Sequence, residues 1–193
     1  MTLPSSQEAS RALYGTIRLA RLDRTGAEFF GSTPEAALRS FYVAALVAPA
    51  HLVLMLLRLV DVVEEINYLR YFAVETIAYV ISWTAFPLLL WHLGPLLDRR
   101  EQVFRAIAAQ NWSAVLQIAV LLAVSGLGAA AFVPEALVAG LAIAISFALL
   151  CYQWFILRSA LDIGGLPAFG LLIGGVLIEV MVRQAADGLV FGM

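Results

Sequence analysis

Lysine is absent from this 193-residue chain, and charge of either sign is scarce. Only 13% of the residues are charged, 62% are hydrophobic, and the mean hydropathy is +0.90. Soluble domains carry about 25% charged residues, so the composition excludes an ordinary water-soluble domain. All twelve basic residues are arginine, a bias typical of GC-rich bacterial genomes, which predicts a bacterial inner (plasma) membrane protein.

Cysteine and catalytic motifs are also scarce. The single cysteine, Cys151, lies in an apolar run and excludes both an intrachain disulfide and a cysteine-based zinc site. The chain contains no HExxH, GxSxG or Walker A sequence, and its two histidines are well separated, so neither a metal cage nor a haem site is expected. We predict no enzymatic activity, no cofactor and no nucleic-acid partner.

Long apolar runs are what the sequence has in abundance. A helix needs roughly 20 apolar residues to cross about 30 Å of hydrocarbon. Enough such runs are present to predict an all-α, polytopic bundle over residues 40–193, preceded by a cytoplasmic or interfacial segment, residues 1–39. The five predicted spans are residues 40–57, 72–93, 114–132, 136–157 and 166–182.

Short signals mark the ends of these spans. Thr33 followed by Pro34 is typical of a helix start, with Thr33 as the N-cap residue. The three residues from Val133 to Glu135 predict a tight hairpin between the third and fourth spans. Pro49 removes a backbone hydrogen bond within the first span, so this span is expected to be either kinked or re-entrant.

The arginines divide unevenly between the two sides of the predicted bundle. Nine precede the first span or lie in the second and fourth connections, and three lie on the opposite side. Arginine concentrates on the cytoplasmic side of membrane proteins, so the N-terminus is predicted inside and the C-terminus outside. The three outer arginines are Arg58, Arg70 and Arg183.

Two short amphipathic helices are predicted at the inner surface, over residues 6–22 and 98–110. In the first, arginines oppose an apolar face and would contact anionic lipid of the inner leaflet. A solvated helix docked on the protein's own loops is the alternative. The apolar face of this first helix consists of Ala9, Leu13, Ile17 and Ala20. The second helix has the same arrangement, with Val103, Phe104 and Ile107 on its apolar face.

Four ionisable residues, His51, Glu75, His92 and Glu179, lie inside the predicted spans, where each costs about 2.5–3.5 kcal/mol without a partner. His92 is at the inner end of its span and is expected to be interfacial. Glu179 precedes Arg183 by four residues, the favourable spacing for an intrahelical ion pair. Glu75 is expected within reach of Arg58 or Arg70, or of water. If the second and fifth spans are adjacent, Glu75 and Glu179 would face one outer vestibule and form a proton or cation site.

The histidine of the first span, His51, follows Pro49 by two residues. A histidine beside a kink is suited to accept protons near neutral pH. The alternative is a neutral ring hydrogen-bonded to a neighbouring helix.

Small and amide residues predict helix packing. Gly170 and Gly174 form a GxxxG motif, and Gly140 begins a small-residue stripe in the fourth span. Such residues let helices approach closely, here more within one subunit than between subunits. Gln117 and Gln153 are expected to hydrogen-bond between helices.

The layout resembles that of Yip1-domain membrane proteins. The segment Phe30-Gly-Ser-Thr-Pro-Glu-Ala-Ala-Leu-Arg-Ser-Phe41, running into a span with Pro49, looks like the corresponding segment of bacterial members. Eukaryotic members carry Asp-Leu-Tyr-Gly-Pro before their first span, and this chain keeps only Leu13-Tyr14-Gly15 of it. The resemblance implies a membrane adaptor or organiser and carries over no catalytic residue.

These features favour a non-enzymatic membrane scaffold that organises lipid or a larger assembly, with a membrane-protein partner or a second copy of the chain. One alternative is a small proton- or cation-linked transporter or channel that uses Glu75, Glu179 and His51. Another is an accessory subunit of a respiratory or photosynthetic complex.

Overall fold

The computed structural model describes residues 3–60, 67–128 and 133–192, and within these ranges the regular structure is entirely helical. Five helical segments are long and apolar enough to cross a membrane, as the sequence predicts. The α-helices are α1 (Ser6–Ala20), α2 (Pro34–Ser40), α3 (Tyr42–Val60), α4 (Tyr68–Leu93), α5 (Gln102–Gly128), α6 (Glu135–Ala160) and α7 (Gly165–Phe191).

The first apolar segment, Pro34–Leu59, consists of α2 followed directly by most of α3. Its predicted start is confirmed, because Thr33 caps α2 and its hydroxyl accepts a hydrogen bond from the Ala36 amide at 3.2 Å. Helix α3 continues through Pro49 without a break. Its 19 residues measure about 28 Å, so α3 is one continuous helix of about membrane length, without a turn back at Pro49.

The prediction of a second, separate surface helix over residues 98–110 is wrong. Residues 102–110 are the beginning of α5, which runs on through the predicted third span to Gly128. No proline or glycine interrupts the sequence between Gln102 and Ser125, so nothing ends the helix there. Val103 and Ile107 face the protein core instead of lipid. Residues 129–132, the end of the predicted third span and the approach to its hairpin, lie outside the described residues.

Helices α5 and α6 form an antiparallel pair around which the others pack. Near one end, a Cβ on Gly128 would lie 3.3 Å from Val138, and near the other Arg105 Nε donates to the Ala160 carbonyl at 2.8 Å. Helices α2 and α3 pack on α5, α7 packs on α6, and α4 packs on α7.

The end of the bundle formed by the start of α5 and the end of α6 has the densest core. There α1, α2 and a 3-10 helix (Arg24–Phe29) cover the two long helices, and one hydrophobic cluster includes side chains from all of them. Leu19, Ile156 and Leu157 are fully buried in this cluster. We call α1, the 3-10 helix and the turn between them the N-terminal cap.

Two glycines allow the N-terminal cap to fold on itself. A Cβ on Gly15 would lie 2.8 Å from the Gly26 carbonyl oxygen, and a Cβ on Gly26 would lie 2.7 Å from that of Gly15. Both distances are shorter than a carbon–oxygen contact tolerates, so each position requires glycine. The turn is further held by Arg18, whose Nε donates to Asp23 at 2.7 Å. Hydrogen bonds from Thr25 and Arg18 lower the pKa of the Asp23 carboxyl.

The buried face of α1 differs from its predicted apolar face. The residues against the bundle are small or polar, with Leu19 as the one large side chain, while Leu13 and Ile17 are exposed. A close helix crossing selects small residues, and this requirement outweighs hydrophobicity here. The buried residues are Ala12, Gly15, Thr16 and Leu19.

Replacing Gly15 with alanine tests the close crossing in the cap. The new methyl group would clash with the Gly26 carbonyl and Phe29, so Gly15→Ala is expected to lower the free energy of unfolding by about 1–3 kcal/mol. Gly140→Ala is the matched control, because it also lies inside a helix but has open space around its Cβ. Thermal unfolding in detergent measures both; equal melting temperatures for the two variants would contradict the crossing.

Candidate functional site: an ion pair within the helix bundle

One face of α4 carries three polar side chains directed at the neighbouring helices. Tyr71, Glu75 and Tyr79 are spaced four residues apart, which places them on one side of the helix. The Tyr71 hydroxyl donates to the Met55 carbonyl of α3 at 3.3 Å, and the Tyr79 hydroxyl donates to the Ala44 carbonyl at 2.6 Å. These two bonds join α4 to α3.

Glu75, between the two tyrosines, is 2% exposed. Its Oε1 atom accepts a hydrogen bond from Arg183 NH1 of α7 at 2.6 Å, and Arg58 NH1 at the end of α3 lies 4.0 Å away. Arg58 was an expected partner, whereas Arg183 was not. Three helices therefore meet at one carboxylate.

This ion pair lies towards one end of the apolar segments of α4 and α7. Glu75 is about 10 Å from the start of α4, and Arg183 is about 12 Å from the end of α7. The 26 residues of α4 measure about 39 Å, so in a hydrocarbon layer of about 30 Å centred on α4 the Glu75 position would be about 6 Å inside the edge. Direct contact with the Arg183 guanidinium offsets the free energy that burial of the Glu75 carboxylate costs.

His51 packs against the same cluster without joining its hydrogen bonds. Its ring lies on that of Tyr79, with centroids 4.5 Å apart and planes inclined by 34°. His51 Nε2 is buried and has no hydrogen-bond partner among the described residues. The hydrogen bond to a neighbouring helix, considered above as one alternative for this atom, is therefore absent from the described part of the chain.

Glu179 is placed differently from Glu75. Helices α4 and α7 are adjacent, but Glu179 is exposed while Glu75 is buried. Arg183, the expected partner of Glu179 along α7, bonds to Glu75 instead. Among the described residues, Glu179 has no basic group within 4.0 Å. The two acids do not share one enclosed site.

The expected amide contact between α5 and α6 is confirmed. Gln153 Nε2 donates to Gln117 Oε1 at 3.2 Å, and Gln117 Nε2 donates to Ser113 Oγ at 2.9 Å. Closer to the cap, Asn111 Nδ2 donates to Ser40 Oγ at 2.8 Å. Such interhelical bonds contribute about 0.6–2 kcal/mol each in an apolar environment.

The three glycines expected at helix contacts have different surroundings. Gly174 packs against α4, where its Cβ would lie 3.0 Å from Leu89. A Cβ on Gly140 or on Gly170 would meet no atom within 4 Å. Among the described residues, Gly174 alone of these three lies at a contact between helices. The adjacent Gly175 makes a similar contact, with a Cβ position 2.7 Å from the Phe86 ring.

Two surface cavities of the described residues lie near the cap end of the bundle. One, of about 50 Å³, is lined by residues that include Trp91 and Arg100; the other, of about 290 Å³, is apolar and lies beside Gly170. Neither is lined by His51, Glu75 or Glu179. Among the described residues, no three His, Cys, Asp or Glu side chains form a group that could hold a metal ion.

Comparison of the chain with protein-family models, with curated proteins and with solved structures finds no match.

A double-mutant cycle on Glu75 and Arg183 tests the ion pair. Each single change to glutamine leaves one charge inside the bundle, and we expect each to lower the free energy of unfolding by about 2–4 kcal/mol. The double variant should cost less than the sum of the two, because neither charge remains.

Unfolding in mixed detergent micelles measures all four proteins of the cycle. Glu179→Gln serves as the control, since this acid is exposed and unpaired among the described residues, and we expect a change below about 0.5 kcal/mol. Strict additivity of the Glu75 and Arg183 variants would rule out the pair as a stabilising contact.

Proposed function

We propose that this protein is a non-enzymatic, multi-pass scaffold of a bacterial inner membrane that binds another membrane protein or a second copy of itself. The observation that carries the proposal is the exposure of α6. Only 6% of its most apolar stretch is buried within the chain, against 17–33% for the other four apolar segments. A long helix with so little internal contact leaves most of its surface for lipid or for a partner.

The uncovered surface of α6 includes small side chains. Gly140, Ala144, Ala148 and Cys151 are exposed and share one side of the helix, flanked by exposed Ile143 and Phe147. Small residues between bulky apolar ones suit close packing by a helix of another protein. If the partner is a different protein, we propose that the chain is an accessory subunit of a larger membrane complex.

The geometry at Glu75 supports a scaffold over a transporter. The Glu75 carboxylate is buried and bonded to Arg183, and Glu179 is exposed on the outside of the bundle. A carboxylate held by an arginine joins helices and does not offer an open binding position for a passing cation. The likeness to Yip1-domain proteins agrees with a scaffold role and stays a prediction.

Gentle extraction from native membranes followed by identification of co-purifying proteins tests the proposal. We expect the chain in a complex larger than its own mass. Strictly monomeric protein, with no partner and no preferred lipid, would refute it.

The only cysteine of the chain reports whether the partner is a second copy. If α6 packs on α6 of another chain, mild oxidation in membranes should produce a disulfide-linked dimer through Cys151 that Cys151→Ser abolishes. A complex without this dimer would assign the face to a different protein.

The proposed orientation has the N-terminus inside and the C-terminus outside, from the nine-to-three division of arginines. In a Cys151→Ala background, a membrane-impermeant maleimide should label Glu135→Cys in intact cells, and Ser32→Cys only after permeabilisation. The opposite labelling pattern would reverse the orientation.

A further inference from the structure

Helix α1 has an exposed apolar face beside the face that packs on the bundle. Leu13 and Ile17 lie one turn apart and are 37% and 46% exposed, although Leu19 on the packed side is fully buried. Leu22, directly after the helix, is 67% exposed. Three large aliphatic side chains thus project from the N-terminal cap on the outside of the protein.

The cap is held at the level where the apolar part of α6 ends. Residues 136–151 of α6 contain no charged side chain, and the polar and aromatic residues Tyr152, Gln153 and Trp154 follow. The Tyr152 hydroxyl donates to the Thr16 carbonyl of α1 at 3.0 Å. Tyrosine and tryptophan concentrate at the boundary between hydrocarbon and water, so this bond places α1 at the membrane surface.

The unpaired charges of the described cap are net positive, three arginines against the exposed acid Glu28, and so suit a negatively charged surface. Asp23 neutralises Arg18, and Glu8 neutralises Arg39. Within the described ranges, the remaining arginines of the cap are exposed and have no carboxylate within 4.0 Å. These arginines are Arg11, Arg21 and Arg24.

The conformation of Leu22 is unusual for a leucine. Its φ of 61° lies in the left-handed region, which glycine or asparagine adopts at lower cost. The side chain is exposed and so does not stabilise the core. Contact with lipid would compensate for the strained backbone, as an aliphatic chain gains free energy on leaving water.

We propose that Leu13, Ile17 and Leu22 insert into the surface of the surrounding bilayer, with Arg11, Arg21 and Arg24 bound to anionic headgroups. The cap is then an anchor that lies parallel to the inner leaflet and binds more strongly to a leaflet that contains anionic lipid. This inference rests on the membrane insertion included in the proposed function, and it is independent of any protein partner of α6.

Spin-label accessibility in reconstituted vesicles tests this anchor. Single cysteines at Leu13 and Ile17, in a Cys151→Ala background, are labelled and compared with Glu101→Cys and Val80→Cys. Glu101 is exposed and lies about 24 Å along α5 from Gln117, which bonds to Gln153 at the end of the apolar part of α6, so its label is the aqueous control. Val80, 56% exposed in the middle of α4 and away from the proposed partner face of α6, is the control for lipid.

We expect labels at Leu13 and Ile17 to collide more with oxygen, which concentrates in lipid, than with a water-soluble nickel chelate. Nickel accessibility as high as that at Glu101 would overturn the proposal. If the Val80 label were also in water, the bundle itself would not be inserted, and the proposed function would fail with it. A lipid-exposed Val80 label beside aqueous labels at Leu13 and Ile17 would overturn the anchor alone.

A comparison of neutral with anionic lipid tests whether the arginines of the cap bind anionic headgroups. Vesicles of phosphatidylcholine are compared with vesicles that also contain phosphatidylglycerol, and we expect deeper labels at Leu13 and Ile17 in the mixture. Arg11→Gln/Arg21→Gln should remove this difference while the depth in phosphatidylcholine stays unchanged. Equal depth of the unsubstituted cap in both lipids would overturn the binding of anionic headgroups.

Discussion

A carboxylate inside the apolar length of a helix bundle is stable only with a partner, and at Glu75 this constraint is met by Arg183. The contact fixes the antiparallel register of α4 and α7, so that Leu89 and Phe86 lie over Gly174 and Gly175 further along the two helices. Tyrosines on either side of Glu75 then join α4 to α3 through backbone carbonyls. Few apolar side chains are buried in the half of the bundle away from the cap, and its helices are joined by these polar contacts and by the close crossing of α4 and α7.

The two ends of the bundle are stabilised in different ways. At the cap end, α5 and α6 are enclosed by α1, α2 and the 3-10 helix, and the core resembles that of a soluble protein. At the other end, α6 leaves its apolar side chains uncovered, which is stable only in lipid or against a partner. In the proposed scaffold, the cap end maintains the fold and contacts the membrane surface, while the uncovered sides of the helices bind the partner.

The sequence predicts the number of apolar helices well, because a 20-residue run without charge has few alternatives to a membrane-length helix. It also predicts the N-cap at Thr33 and the contact between Gln117 and Gln153. Of the partners expected for Glu75, Arg58 lies 4.0 Å from the carboxylate. The closer partner, Arg183, was missed, because its spacing from Glu179 favours a pair along one helix and only the packing of α4 on α7 brings Arg183 to Glu75. The four-residue spacing of Tyr71, Glu75 and Tyr79 was the signal available for this polar face. The buried face of α1 was missed because it depends on the close approach of Gly15 and Gly26, where the chain turns back after α1. Helical periodicity does not predict such a contact.

Flux measurements in proteoliposomes test most directly the central claim that the Glu75 ion pair joins helices and does not conduct. Purified protein is reconstituted, and proton and monovalent-cation movement is followed under an imposed gradient, with protein-free vesicles as the baseline. The account predicts no flux above this baseline, for the unsubstituted chain and for Glu75→Gln alike. Flux in the unsubstituted chain that disappears in Glu75→Gln would contradict it.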